Sequence, residues 1–182
     1  VRMLLGFVSP NGGELLVDGI PLSQLAIRSY RRQLGVVMQT ARLNGGSIYD
    51  VICGGVQRSE EEVWEALERA AVADEVRAMP MQLETLLSES GGNVSGGQGQ
   101  RIAIARALIT QPKVLIMDEA TSALDNTSQQ AITSTINELG ITRISIAHRL
   151  ATIQQADQIV ILERGKPAES GSWEQLQSHG YL

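Results

Sequence analysis

Residues 85–125, TLLSESGGNVSGGQGQRIAIARALITQPKVLIMDEATSALD, decide the fold. They set in order a Gly-rich turn, a helical pattern, an apolar strand ending in two acids, and a polar turn closing on Asp125. Ser95, Gly96, Gly97 and Gln98 have the S-x-x-Q spacing of a capping box, in which Ser95 accepts from the N–H three residues on and Gln98 reaches back. A plain helix start meets that description. So does an anion site: two glycines leave unpaired N–H groups at the positive end of the helix dipole, with no Cβ to block a close approach.

The residues after this turn give it weight. Ile102, Ala105 and Ile109 fall on one helical face before Pro112 stops the helix, and the stem of Arg106 flanks that face while its charged head reaches water. Val114-Leu115-Ile116-Met117 is a continuous apolar run, the pattern of a parallel strand buried on both faces. Asp118 and Glu119 stand where that strand runs out, and ligands of open α/β sheets gather at such carboxyl ends. A pair of acids there is either a solvated strand end or a place for Mg²⁺ and a polarised water.

These residues carry a resemblance. VSGGQGQR (94–101) resembles the signature motif of ABC ATPases, VLIMDE (114–119) their Walker B strand with its following glutamate, and SALD (122–125) their D-loop. Three motifs in family order are specific, whereas SGGQ alone is not. Two residues depart from the pattern: Val94 replaces the usual Leu, and Gly99 stands where Lys or Arg is common. Loss of that cation is expected to loosen closure on nucleotide, so Gly99→Arg in the full-length protein should change ATP affinity and turnover.

The remaining chain extends the likeness. Gln39 follows the apolar strand Leu34–Met38, and GSIYDVI (46–52) after it resembles the exporter pattern; the resemblance makes Gln39 a contact of Mg²⁺ and the attacking water. Ser59 and Glu62 form another capping box, opening a helix with Val63, Leu67 and Ala70 inward. Trp64 either anchors that helix or faces a partner. TLLSESG (85–91) reads as a polar loop, and resembles the exporter loop whose glutamate, here Glu89, touches the membrane domain. His148, at the end of strand 143–147 and before RLATIQQAD, resembles the family's switch histidine, while His179 has no such context and is read as structural.

Composition bounds the alternatives. The 182 residues are 43% hydrophobic and 19% charged, enough for one domain with a sizeable core. A net charge of -5 argues against nucleic acid as a main partner, and the arginines at 28, 31 and 32 are read as a solvated face. Cys53 is the sole cysteine, flanked by apolar residues, so it reads as a small buried hydrophobe and no intrachain disulfide can form. No run of about 18 apolar residues offers a membrane span.

VRMLLGF (1–7) is an apolar helical fragment with no capping residue before it, and G-x-x-x-x-G-K-[ST] occurs nowhere. The chain is therefore expected to be N-terminally truncated just after a Walker A motif, to bind ATP poorly and to be inactive alone, and its C-terminus at Tyr181-Leu182 to be clipped as well.

The expected fold is α/β: a P-loop NTPase, RecA-like core (1–39 and 111–182) with a mostly helical signature subdomain (40–110). The resemblance implies an ATP-hydrolysing domain of an ABC exporter on the cytoplasmic face of the bacterial cell membrane. Its membrane domain would be fused upstream and a peptide is one cargo it could carry, since YRRQLGVV (30–37), together with GSIYDVI (46–52) and the Ser88-Glu89 loop, looks most like bacteriocin or leader-peptide exporters. It also implies a head-to-tail dimer with a second nucleotide-binding domain. There Ser95, Gly96, Gly97 and Gln98 would meet the other subunit's ATP and Asp125 would act across the interface. Asp118 would hold Mg²⁺, Glu119 would polarise water, and His148 would sense the γ-phosphate. The alternatives are a soluble ABC ATPase of DNA repair or translation, and a non-catalytic fragment serving as an interaction module.

Overall fold

The computed structural model describes residues 1–39, 43, 45–88 and 93–178, so Thr40, Glu89, His179 and Tyr181-Leu182 of the sequence reading lie outside the described residues. The chain divides into two compact units, 1–144 and 145–182.

In the first unit, residues 1–7 make helical-turn bonds, Val1 O to Leu5 N and Arg2 O to Phe7 N, without forming a regular helix. The hairpin β1 (Leu16–Val17) and β2 (Ile20–Pro21) comes next, then a 3₁₀ turn at Leu22–Gln24 and α1 (Ile27–Arg31). The helical pattern of Pro21 to Arg32 is thus divided between a 3₁₀ turn and one short helix. Arg31 is no part of a solvated face: it donates to the carbonyls of Leu5 (2.9 Å) and Gly6 (3.1 Å) and lies over the Phe7 ring at 4.4 Å. A planar guanidinium suits both tasks at once.

The central sheet has the order β3 (Leu34–Val37), β6 (Val114–Asp118), β7 (Thr142–Ile146). β3 and β6 run parallel, with Leu34 opposite Val114 and Val37 opposite Met117. Leu115, Ile116 and Met117 are buried, as a continuous apolar run in a doubly covered strand requires. This register brings the residues just beyond both strands, Gln39 and Glu119, to the same edge.

Three helices follow β3 in the chain and pack with one another. α2 (Ile48–Cys53) and α3 (Glu60–Arg69) each start with a complete capping box, Ser47 with Asp50 and Ser59 with Glu62. With α4 (Ala73–Arg77) they bury Ile48, Ile52, Val63, Leu67 and Val76 in one cluster. Trp64 is a core anchor, packed on this cluster with Arg77 over its outer face at 5.0 Å. Burial pushes the Cys53 thiol up, as a structural rather than reactive cysteine requires.

α5 (Gly96–Leu108) packs on α2, α3 and β3, and is buried from Gly99 to Ala105 all round its surface. Its apolar contact is therefore wider than the single face read from Ile102, Ala105 and Ile109, because it is covered from two sides. Arg106 is half-buried, and burial draws its guanidinium below its ordinary value. α5 comes so close to β3 that a Cβ on Gly35 would lie 3.0 Å from Ala107 O, Leu115 Cδ1 and Pro112 Cγ alike. Gly35→Ala is expected to destabilise the protein by about 1–3 kcal/mol, the cost of overpacking a core that cannot yield, seen as a lower denaturant midpoint at unchanged slope.

The segment 85–91 is not wholly a loop. Leu86–Leu87 forms β5, antiparallel to β4 (Gly46–Ser47), with Gly46 opposite Leu87. α6 (Asn126–Glu138) comes after β6 and turns Ile132 and Ile136 inward. The second unit holds α7 (Leu150–Ile153), the antiparallel pair β8 (Ile159–Glu163) and β9 (Lys166–Gly171), and α8 (Trp173–Ser178), whose Leu176 is fully buried.

Candidate functional site

The signature turn begins α5. Ser95 Oγ accepts from Gln98 N at 3.1 Å, and Gln98 Oε1 accepts from Ser95 N at 2.8 Å, so the expected capping box is complete. The box uses the Ser95 oxygen as an acceptor and makes no use of its hydroxyl proton. Gly96 and Gly97 occupy the first two helical positions, where N–H groups have no partner within the helix. Ser95 and Gly96 are exposed, so an anion can reach them. These donors fit a phosphate oxygen.

Gly97 has a second reason to be glycine. A Cβ there would lie 3.2 Å from Ala123 O, on the turn that precedes Asp125. The signature helix and that turn are in direct contact. Gly99, by contrast, would place a Cβ at 3.7 Å from Leu43 Cδ1 and 3.9 Å from Val94 Cγ2, ordinary contacts.

Behind the turn stands a network that sequence reasoning missed. Glu75, on α4, accepts from Gln98 Nε2 at 2.7 Å and pairs with Arg101 Nη1 at 2.6 Å. Arg101, 10% exposed, also donates to Ala71 O (2.7 Å) and Gly97 O (3.2 Å). Its only sequence signal was an arginine inside an otherwise apolar helix, which needs an acid from elsewhere. Glu75→Ala should leave that guanidinium without its counter-charge and cost about 1–3 kcal/mol, less than a fully buried pair because Glu75 is 40% exposed. A denaturation midpoint lowered in Glu75→Ala and largely restored in Glu75→Asp would check it.

At the sheet edge Gln39 Nε2 donates to Glu119 Oε2 at 2.8 Å. Glu119 is half-buried, and its backbone has φ +49°, a region that non-glycine residues rarely enter. Asp118 is the last residue of β6 and half-buried. Among the described residues no group of three or more His, Cys, Asp or Glu side chains is assembled. Asp118 at the end of β6 and Gln39 beyond the end of β3 offer a sparse oxygen set, the kind that suits Mg²⁺, which keeps most of its waters and takes further ligands from phosphate.

Asp125 carries a task the sequence reading left out. It is the N-cap of α6, Oδ1 accepting from Ser128 N at 2.9 Å and Oδ2 from Ser128 Oγ at 2.7 Å. These bonds, the backbone one first, hold its carboxyl below the ordinary aspartate value. Their stabilisation is complete above that ordinary value and is lost as pH falls through the lowered one. The spacing Asp125-x-x-Ser128 before a helix was the signal available. His148 lies in the second unit, exposed, in the segment between β7 and α7.

The structure thus brings together Gln39 with Glu119, and the Ser95–Gln98 turn with the segment leading to Asp125. Comparisons with known proteins give this arrangement its family. The ABC transporter family profile matches residues 1–122. An ATP-dependent lipid A-core flippase of Burkholderia orbicola is 43% identical, covering 100% of this chain and 31% of its own length. A colicin V secretion/processing ATP-binding protein of Escherichia coli is also 43% identical, over 88% of this chain and 23% of its own. Among solved structures, a bacterial Atm1-family ABC exporter with ATP bound superposes with a TM-score of 0.94 at 40% identity, covering 100% of this chain and 32% of that one. The chain spans about a third or less of the proteins it matches. With the P-loop NTPase fold of an ABC ATPase, it belongs to the ABC transporter family and resembles the ATP-binding domain of the exporter type.

Proposed function

We propose that this chain is the ATP-binding and ATP-hydrolysing domain of an ABC exporter, working at the cytoplasmic face of a membrane beside a transmembrane domain. The observation that carries the reading is the contact of Gln39 with Glu119 at the sheet edge, in the same unit as an exposed Ser95-Gly96-Gly97 turn. No helix among the described residues is long and apolar enough to cross a membrane, so the membrane part of the exporter would come from other sequence. We assign 40–110 as the signature subdomain and 1–39 with 111–182 as the core.

Each group then has a task. Asp118 and Gln39 would hold Mg²⁺, which supplies charge to the phosphates when bound. Glu119 accepts a proton from, or orients, the attacking water, and its bond from Gln39 sets the direction of its carboxylate. Ser95 Oγ–H and the N–H groups of Gly96 and Gly97 stabilise negative charge on a γ-phosphate held by a second nucleotide-binding domain, packed head to tail. Gln98 fixes those donors from within the helix, Asp125 holds the start of α6 at that interface, and His148 contacts the γ-phosphate of bound ATP. Positioning and charge compensation carry this chemistry, because phosphoryl transfer has a loose transition state.

The flippase and the colicin V protein are equally similar to this chain, at 43% each, although their names give different cargoes. Cargo choice is therefore assigned to the membrane domain, with a peptide as the class to try first. The full-length protein, purified from membranes into vesicles, should hydrolyse ATP only with Mg²⁺ and should move cargo only with hydrolysis. Turnover that needs no Mg²⁺, or a purified protein with no ATPase activity across a panel of peptides and lipids, would refute the assignment.

A further inference from the structure

Gln100 is 3% exposed, one of few buried polar side chains on a helix that otherwise buries Ile and Ala. A buried amide that is left unpaired is costly, so the partners it finds show what it holds. Its Oε1 accepts from Ala123 N at 3.0 Å, and its Nε2 donates to Glu119 O at a long 3.4 Å. Both partners are main-chain groups at the two ends of one turn. That turn is closed within itself by Ser122 N to Glu119 O at 3.0 Å and Leu124 N to Thr121 O at 3.2 Å. A glutamine spanning the ends of a turn fixes its shape as a clip does.

The turn is the one that aims Glu119. With φ at +49°, the Glu119 backbone is in a conformation that persists only where its surroundings hold it. Gln39 donates to its carboxylate, and Gln100 donates to its carbonyl. Gln100 also lies on the helix capped by Ser95, just beyond Gly97, where an added Cβ would lie 3.2 Å from the Ala123 carbonyl oxygen.

We propose that Gln100 is a positioning residue for ATP hydrolysis: it clips the Glu119–Ala123 turn to the signature helix, so that the phosphate-binding turn and the hydrolytic glutamate of one subunit move as a single body. This rests on the reading of Glu119 as the residue that activates water. In a head-to-tail dimer those two groups serve different nucleotides, so the clip makes the geometry of one site depend on the occupancy of the other.

The test uses the full-length exporter and Gln100→Met, which keeps side-chain length and removes both bonds. Turnover at saturating ATP is expected to fall at least about ten-fold, since misplacing a reacting group by an ångström costs about a hundred-fold, while KM for ATP stays within about two-fold. Glu119→Gln and the double variant complete a cycle, with residual rates read by single-turnover release of labelled γ-phosphate. If Gln100 acts through Glu119, the double variant is no slower than Glu119→Gln alone. A purely structural residue would instead multiply its loss in both backgrounds, and that result overturns the proposal. Unchanged turnover in Gln100→Met with an inactive Glu119→Gln overturns it too, leaving the reading of Glu119 intact. Wild-type turnover in Glu119→Gln removes both. Should Gln100→Met fail to fold, Gln100→Asn, one methylene too short to span both ends of the turn, takes its place; undiminished turnover there refutes the clip.

Discussion

Glu119→Gln is expected to lower ATP hydrolysis by the full-length exporter by about 10²–10⁴-fold, the usual worth of a positioned acid–base group, while ATP still binds. Glutamine has the same shape, and its carbonyl oxygen can still accept from Gln39 Nε2, which now holds Glu119 Oε2 at 2.8 Å. What disappears is the negative charge beside the attacking water. The pattern to measure is therefore a split one: turnover collapses, the binding constant for a fluorescent ATP analogue changes little, and subunits closed on ATP accumulate because they cannot proceed. A parallel fall in binding and turnover would mean that Glu119 holds the fold or the nucleotide rather than the water.

The second large effect belongs to Gly97. Gly97→Asp places a carboxylate where the helix offers N–H donors to an anion, and its Cβ would lie 3.2 Å from Ala123 O, a backbone atom with little room to move. Removing one oxyanion donor typically costs about 10²–10³-fold, and a like charge adds repulsion to that loss, so turnover should fall by at least about 10²-fold. Here the split is the opposite of that in Glu119→Gln. ATP-driven closure of the two domains should disappear together with hydrolysis, because in the proposed head-to-tail dimer this turn acts on nucleotide held by the other subunit. Gly97→Ala separates the causes, since it keeps the steric clash and adds no charge. If both variants closed on ATP as the parent does, the turn would not be a phosphate site.

Much of this was legible in the sequence, for physical reasons that can be named. The strand at 114–118 was readable because burial on both faces demands an unbroken apolar run, and the cap at Ser95 because its two bonds are local. Gln39 and Glu119 were each marked by standing beyond a strand, but their mutual bond spans 80 positions and follows from the parallel register of β3 and β6. Long-range polar partners leave little trace in a single chain. Glu75 gave no sign that it would meet Gln98 and Arg101, nor Gln100 that it would close a turn beyond the next strand. The arginines at 28–32 misled because adjacent charges usually share a wet face, whereas Arg31 found carbonyls and an aromatic ring contributed by residues 5–7. The residues 85–88 misled in the other direction, because two residues of strand are too few to show an alternation.

That small strand pair has a mechanical result. Through Gly46↔Leu87 and Ser47↔Leu86, and through Ile48 N bonded to Thr85 O at 3.0 Å, the chain that leaves Gln39 is stitched to the chain that enters the signature turn. Loss of this pair would release both strands at once, so residues 46–48 and 85–87 stand or fall as a unit.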